Sequence, residues 1–232
     1  MTKAVIMAAG KGTRMLPLTE TIPKVLIEIN NKPFLHYVIE NLKAAGFTEF
    51  GIIAGYLKEK IEDYIKQNNI NATIIEQKEQ LGTGHAVLQA KDFCKDENFI
   101  VLGGDNLFSV EDLKAINNQD EFCCIVGKEI QEDPSKYGVL VIKDDKLIKI
   151  VEKPKEFVSN IISIGLYKFT KEIWPALDKI ELSERGEYEL TDAITLLAKQ
   201  GKVKALKLKN YWLDLGSKED IPKVEEFIKK LQ

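Results

Sequence analysis

Apolar and polar positions along the chain switch between two periods. A short apolar run at 4–7 predicts a first buried strand. From Pro33 onward, Phe34, Leu35, Val38, Ile39 and Leu42 recur at helical spacing, and Gly46 closes the pattern, so a helix is predicted over 33–45. The same reading predicts strands at 50–54, 72–76, 99–103 and 122–127. Between them come helices at 58–67, 84–91 and 111–117. Strands separated by helices of this length indicate a parallel sheet covered on both faces.

The second half is richer in strand patterns. Runs at 138–142 and 147–151 flank Lys143-Asp144-Asp145-Lys146, which resembles a hairpin turn, and a further strand is predicted at 161–169. Leu190, Ala193, Ile194 and Leu197 predict a helix over 189–200, followed by short strands at 203–208 and 211–215. Ser217 with Asp220 three residues on is an acidic variant of the capping box, opening a last helix. No linker, repeat or low-complexity tract divides the chain. The expected fold is α/β: a Rossmann-like, mixed and mainly parallel sheet with helices on both faces and an embedded β-rich lobe.

Composition narrows the function classes. The 232 residues suffice for one large α/β domain, and 44% hydrophobic with 30% charged residues is ordinary for a soluble protein. A net charge of -3 leaves no footprint for nucleic acid. No stretch approaches the length of a membrane span, and the N-terminus enters a strand directly. The expectation is therefore a cytoplasmic protein with no membrane or nucleic-acid partner. Cys94, Cys123 and Cys124 cannot frame disulfides, and neither His36 nor His85 has a cysteine at zinc-ligand spacing, so buried thiols are expected.

Four segments carry candidate chemistry. The first is Ala8-Ala9-Gly10-Lys11-Gly12-Thr13-Arg14-Met15, with Pro23-Lys24 soon after. Two glycines after a strand allow a sharp turn whose amides form an anion-binding concavity, and Arg14 and Lys24 add separated cations suited to a nucleoside triphosphate. The dinucleotide fingerprint is excluded because Met15 stands where its third glycine belongs, and Gly10-Lys11-Gly12 does not fit the phosphate loop of the common nucleotide hydrolases. The plain alternative is a strand-to-loop turn. The second segment is Glu79-Gln80-Leu81-Gly82-Thr83-Gly84-His85-Ala86, before a helix; its amides suit a base edge or a phosphate, or simply start the helix. The third is the apolar run 99–103 ending at Gly104-Asp105-Asn106, where Asp105 is either a turn residue or a Mg²⁺ ligand. Asp214, between apolar neighbours, is the second metal candidate, although spacing says nothing about its distance from Asp105. The fourth is Val151-Glu152-Lys153-Pro154. Pro154 favours extended geometry at Lys153, which sends Glu152 and Lys153 to opposite sides, one toward sugar hydroxyls and one toward a phosphate, or merely ends a charged strand.

Taken in order, Ala8–Met15, Pro23-Lys24, Leu81–Ala86, Gly104-Asp105-Asn106, Tyr137-Gly138-Val139, Glu152-Lys153-Pro154, Gly186–Asp192 and Trp212–Gly216 resemble the motifs of the sugar-1-phosphate nucleotidylyltransferases over nearly the whole chain. The resemblance implies nucleotide binding by Ala8, Ala9, Gly10, Gly12, Thr13, Arg14, Gln77, Gly82, Thr83 and Asp105. It implies sugar binding by Gly138, Glu152, Lys153 and Asn160, Mg²⁺ held by Asp105 and Asp214, and catalytic roles for Arg14, Lys24, Asp105 and Lys153. It further implies a single domain over 1–232, nucleotide-binding to about residue 130 and sugar-binding from about 131, without the C-terminal β-helix of many relatives.

The implied reaction joins a UTP or dTTP nucleotidyl group to a sugar 1-phosphate, glucose 1-phosphate first, with release of pyrophosphate. Gln80–Ala86 is similar to uridylyltransferases of amino-sugar metabolism, which keeps N-acetylglucosamine 1-phosphate open. A choline-phosphate cytidylyltransferase and a catalytically silent nucleotide-sugar-binding subunit are the remaining alternatives. Oligomeric state is not legible, and a homo-oligomer stays open.

Overall fold

A computed structural model of the protein describes residues 2–119 and 122–231. The end residues of the expected 1–232 domain, and Glu121 at the head of the Cys123-Cys124 segment, lie outside them. In chain order the strands are β1 (Lys3–Ala8), β2 (Glu28–Ile29), β3 (Lys32–Pro33), β4 (Glu49–Ala54), β5 (Ala72–Glu76), β6 (Phe99–Gly103), β7 (Asn106–Phe108), β8 (Cys123–Glu129), β9 (Gly138–Lys143), β10 (Lys146–Glu152), β11 (Ile161–Phe169), β12 (Val203–Lys207) and β13 (Trp212–Asp214). The α-helices are α1 (Phe34–Ala44), α2 (Lys58–Gln67), α3 (Thr83–Gln89), α4 (Lys91–Cys94), α5 (Val110–Asn117), α6 (Ile173–Leu177), α7 (Leu190–Ala198) and α8 (Ile221–Leu231).

Nine strands form one mixed sheet in the order β5-β4-β1-β6-β11-β8-β12-β10-β9. Pairing is parallel through β5, β4, β1 and β6 and again between β8 and β12. It is antiparallel at β6–β11, β11–β8, β12–β10 and β10–β9. The parallel block thus coincides with the strand–helix alternation of the first half, as the mixed-sheet expectation requires. The far end curls back, so that Val139 of β9 also faces Ile162 of β11.

Side chains of β1 alternate between two hydrophobic clusters, one on each face. Ala4, Ile6 and Ala8 pack with α1, α2, α5 and α8, while Val5 packs with α3, α6 and α7. Covering both faces explains why β1 and β6 read as unbroken apolar runs rather than alternating ones. Cys94, Cys123 and Cys124 are buried free thiols, and burial pushes Cys94 up to about 12 and Cys124 up to about 11.

The β9–β10 hairpin turns at Asp144 and Asp145, both left-handed (φ 50° and 60°), the geometry of a tight two-residue loop. Ser217 and Asp220 form the expected capping box, through one 3₁₀ turn before α8. Strand β13 falls within the run expected at 211–215, whereas the β2–β3 ribbon, strand β7 and helix α6, none longer than five residues, leave no pattern in the sequence. Among the described residues, no helix is long and apolar enough to cross a membrane.

Candidate active site

The carboxyl end of β1 opens into a loop of three 3₁₀ turns, at Thr13–Met15, Leu18–Glu20 and Lys24–Leu26. Gly12 holds it together. It is left-handed (φ 63°), and a Cβ there would lie 3.0 Å from Thr19 Cγ2 and 3.1 Å from Lys24 Cβ. Buried Thr19 donates its hydroxyl to the Gly12 carbonyl at 2.9 Å. The packing folds the loop back on itself and brings Lys24 beneath its start. Gly10, in contrast, has no heavy atom within 4 Å of where a Cβ would stand.

This loop is one wall of a cavity of about 550 Å³ at the carboxyl ends of β1 and β6. Every nucleotide candidate named from the sequence lines it, from Ala8 to Arg14 and at Gln77, Gly82, Thr83 and Asp105, and so does Lys24. The opposite wall is Gly165, Tyr167, Glu187, Leu190 and Thr191, with Gly216 nearby. Open α/β sheets bind ligands at this end. Arg14 is exposed, and its guanidinium makes no hydrogen bond or ion pair with any described residue, which leaves a cation free for an anionic ligand.

The Leu81–Gly84 segment does more than open α3. Gly84 N–H donates to the Tyr188 carbonyl, Tyr188 N–H donates to the Leu81 carbonyl, both at 2.8 Å, and Leu190 N–H donates to Thr83 Oγ1 at 3.1 Å. Residues 187–190 are thereby stitched to the nucleotide side of the cleft. Gln77 spans the same loop, donating to the Gly82 carbonyl at 3.2 Å and meeting His85 Nδ1 at 3.1 Å. Gln80, which sequence reasoning left without a role, donates to the Ala9 carbonyl at 2.8 Å and ties the two glycine segments together.

The acidic centre is assembled by the β7–β13 ribbon. Asp214 lies opposite Asn106 in its register, and Leu215 N–H donates to the Asp105 carbonyl at 2.9 Å. The two aspartates, over a hundred residues apart in sequence, therefore meet. Lys24 Nζ donates to Asp105 Oδ2 at 2.6 Å, and Asn106 Nδ2 donates to Oδ1 at 2.8 Å. The Asp214 carboxyl is raised to about 6, by burial first and then by the Asp105 charge, with Lys24 and Arg14 opposing the shift. Two hard oxygen donors pressed together with one reluctant to ionise form a pair that a divalent cation relieves. Among the described residues no group of three or more His, Cys, Asp or Glu side chains forms a metal cage. Two carboxylates fit an ion whose remaining ligands are phosphate oxygens and water.

The sugar-side candidates gather less tightly. Gly138 faces Glu152 across the β9–β10 hairpin, and a Cβ on Gly138 would meet Glu152 Oε2 at 2.9 Å. Arg185 gathers the carboxylates here, with Nη1 3.2 Å from Glu189 and 4.0 Å from Glu152, and Nη2 3.7 Å from Glu187. Burial raises the Glu189 carboxyl against the pull of Arg185. Ser163, missed in the sequence, lies beside Gly138 and meets Oη of the cavity-lining Tyr167 at 3.2 Å. A bulge in β11 between Ser163 and Tyr167 contains left-handed Gly165, and Gly165 and Tyr167 both line the cavity.

None of Gly138, Glu152, Lys153 and Asn160 lines the 550 Å³ cavity itself. Lys153 is not extended: its φ is 44°, and its N–H closes the β9–β10 hairpin by donating to the Tyr137 carbonyl at 3.0 Å. That left-handed turn overrides the bias set by Pro154, so the strand pleat does not continue through Lys153. Asn160 donates to Glu129 Oε1 at 3.1 Å and lines a separate surface depression with Lys207 and Phe157. The β8–β11 pairing, which sets Ile161 opposite Glu129, holds it there.

The model of the family described as Nucleotidyl transferase matches residues 3–230. The chain belongs to that family. It is 42% identical over 226 residues to "Bifunctional protein GlmU" of Methanocaldococcus jannaschii, an alignment covering 97% of this chain and 54% of that protein. It is 39% identical over 235 residues to "Bifunctional sugar-1-phosphate nucleotidylyltransferase/acetyltransferase" of Sulfurisphaera tokodaii, covering 97% of this chain and 55% of the other. The chain thus spans about half the length of these curated relatives. Among solved structures, a UDP-glucose pyrophosphorylase complexed with UDP-glucose superposes with a TM-score of 0.89 at 28% identity over 100% of both chains. A putative glucose-1-phosphate thymidylyltransferase from Bacillus anthracis superposes with a TM-score of 0.88 at 25% identity, covering 100% of this chain and 97% of that one.

Proposed function

We propose that the protein transfers the nucleotidyl group of UTP or dTTP to a hexose 1-phosphate, with glucose 1-phosphate the first candidate, and releases pyrophosphate. The observation that carries this reading is the meeting of Asp105 and Asp214 beside the Gly10–Lys24 loop, at the edge of a cavity lined by Asp105, Arg14 and Lys24. Residues to about 130 take the nucleotide and those from about 131 the sugar phosphate. UDP-glucose in a solved relative and the sugar-1-phosphate activity in the name of another support the substrate class.

A phosphate oxygen of the sugar 1-phosphate forms a new bond to the α-phosphorus while the bond from that phosphorus to the bridging oxygen breaks, and the electron pair leaves with pyrophosphate. The nucleophile is already an anion, so no general base is required. The obstacle is charge: two unit charges at about 4 Å repel by about 4 kcal/mol at an effective dielectric of 20. Arg14 at the loop takes the outer phosphates and Lys24 the α-phosphate. Lys153 holds the incoming phosphate, and Glu152 accepts from sugar hydroxyls opposite Gly138. Asp105 and Asp214 would hold Mg²⁺, whose chemistry is to neutralise phosphate oxygens and the charge developing on the leaving group. Positioning and charge stabilisation then supply most of the rate enhancement.

N-acetylglucosamine 1-phosphate is the second reading, favoured by the Gln80–Ala86 segment and by the 42% identity to a GlmU protein. Pyrophosphate release assayed for UTP, dTTP, CTP, ATP and GTP against glucose, N-acetylglucosamine, galactose and mannose 1-phosphates and phosphocholine tests both. Turnover with UTP or dTTP and a hexose 1-phosphate supports the reading. Turnover with CTP and phosphocholine alone, or none at all, overturns it. A pocket separates uracil from thymine by one methyl group, about 1–3 kcal/mol, so measurable use of both bases is expected.

A further inference from the structure

The β7–β13 ribbon carries a hydrogen-bonded chain that ends on Asp105. Trp212 Nε1 donates to Asn106 Oδ1 at 2.6 Å, and Asn106 Nδ2 donates to Asp105 Oδ1 at 2.8 Å. The register explains the contact. Trp212 and Asp214 are two residues apart on β13 and share a face. Asn106 stands directly opposite Asp214, and Trp212 is its diagonal neighbour. The chemistry also settles the orientation of the amide. An indole N–H only donates and an ionised carboxylate only accepts, so Asn106 can satisfy both in one orientation alone. Space is reserved for the arrangement: a Cβ on Gly103 would lie 2.6 Å from both Asn106 Nδ2 and Asp105 Oδ1. On the outer side, the Lys128 ammonium sits 5.2 Å from the centre of the Trp212 ring and backs the indole.

We propose that Trp212 and Asn106 are positioning residues that fix the Asp105 carboxylate in its cation-binding orientation before any ligand arrives. This rests on the reading of Asp105 and Asp214 as the divalent-cation pair. With Oδ1 held by Asn106 at 2.8 Å and Oδ2 held by Lys24 at 2.6 Å, each carboxylate oxygen has a fixed partner. Outer partners of this kind typically contribute 10- to 100-fold, in order of magnitude about, to metal affinity.

The test is Mn²⁺ binding to the full chain, followed through the electron paramagnetic resonance of the free ion, for the wild type, Trp212→Phe, Asn106→Ala, the double variant and Asp105→Asn. Trp212→Phe keeps a ring for Lys128 and removes only the donor. The expected result is Mn²⁺ affinity about 10- to 100-fold weaker in each single variant. The double variant loses no more than the weaker-binding single one, because the two residues act as one chain. The Mg²⁺ concentration for half-maximal turnover rises in step, while the nucleotide KM at saturating Mg²⁺ stays within about twofold of the wild type. If Trp212→Phe unfolds, Asn106→Ala carries the comparison. Wild-type Mn²⁺ affinity in a folded Trp212→Phe or Asn106→Ala, with affinity lost in Asp105→Asn, overturns the proposal and leaves the cation pair standing. Wild-type affinity in Asp105→Asn overturns the pair and the proposal together.

Discussion

At the scale of single residues, the centre of the site is a balance of charge around Asp105. Lys24 is largely buried, and its ammonium lies 2.6 Å from that carboxylate. Removing the ammonium leaves two adjacent carboxylates and an incoming polyanion with less to offset them. Lys24→Ala should therefore lower turnover by about 100-fold or more with the fold intact, as steady-state rates and circular dichroism will show. A rate within a few-fold of the wild type would remove Lys24 from the reaction. Asp214 makes the opposite kind of prediction. Its carboxyl is raised to about 6 from an ordinary 3.8, first by burial and then by Asp105, so the native state binds the proton more tightly than the unfolded chain does. The favourable contribution is complete below 3.8 and is lost as pH rises through about 6, beyond which the ionised group costs at most about 3 kcal/mol. Asp214→Asn should accordingly raise the melting temperature of the metal-free protein at pH 8 while abolishing Mg²⁺-dependent turnover. That gain should fade toward pH 4, and a difference that ignores pH would show that burial of this charge is not what the substitution relieves.

At the scale of elements, two glycines two residues apart in one loop, Gly10 and Gly12, do different jobs. Gly12→Ala places a Cβ in left-handed backbone against Thr19 and Lys24, whereas Gly10→Ala projects into open space. In urea unfolding, Gly12→Ala should cost about 1–2 kcal/mol more than Gly10→Ala, and equal costs would mean the loop is not held at Gly12. Much at this scale was legible in the sequence. Strands buried on both faces leave unbroken apolar runs, as in β1 and β6, and helices on a core leave a 3.6-residue period, as in α1. Strand β13 falls inside the run expected at 211–215, but its partner β7 was not legible, because three residues are too few for any period to show, and neither was their pairing. For the same reason the approach of Asp214 to Asp105 had no local signal; it arises from pairing across more than a hundred residues. Lys153 shows the converse error, a sound local bias from Pro154 overruled by the hydrogen bond that closes the hairpin. Asn160, named from the resemblance, bonds Glu129 outside the cavity, while Ser163 meets the cavity-lining Tyr167 with no motif to announce it.

At the scale of the whole molecule, the cleft is built from both ends of the chain. The parallel block supplies the Gly10–Lys24 loop and Asp105, and the later segments supply Tyr167, Glu187, Leu190 and Thr191, with Asp214 at the edge next to Asp105. The hydrogen bonds from Leu81, Thr83 and Gly84 to residues 188–190 join the two sides, and Arg185 extends the link to Glu152 on the sugar side. The chain belongs to the nucleotidyl transferase family over residues 3–230. In the proposed reaction, what suits that scaffold to joining two polyanions is the convergence of two carboxylates next to two cations. The most direct measurement is anomalous diffraction from crystals soaked with Mn²⁺ and UTP. The account predicts a single strong peak within coordination distance of both the Asp105 and Asp214 carboxylates, with phosphate oxygens completing its shell. A nucleotide bound in the cleft with manganese absent from that pair, or coordinated elsewhere, would contradict it.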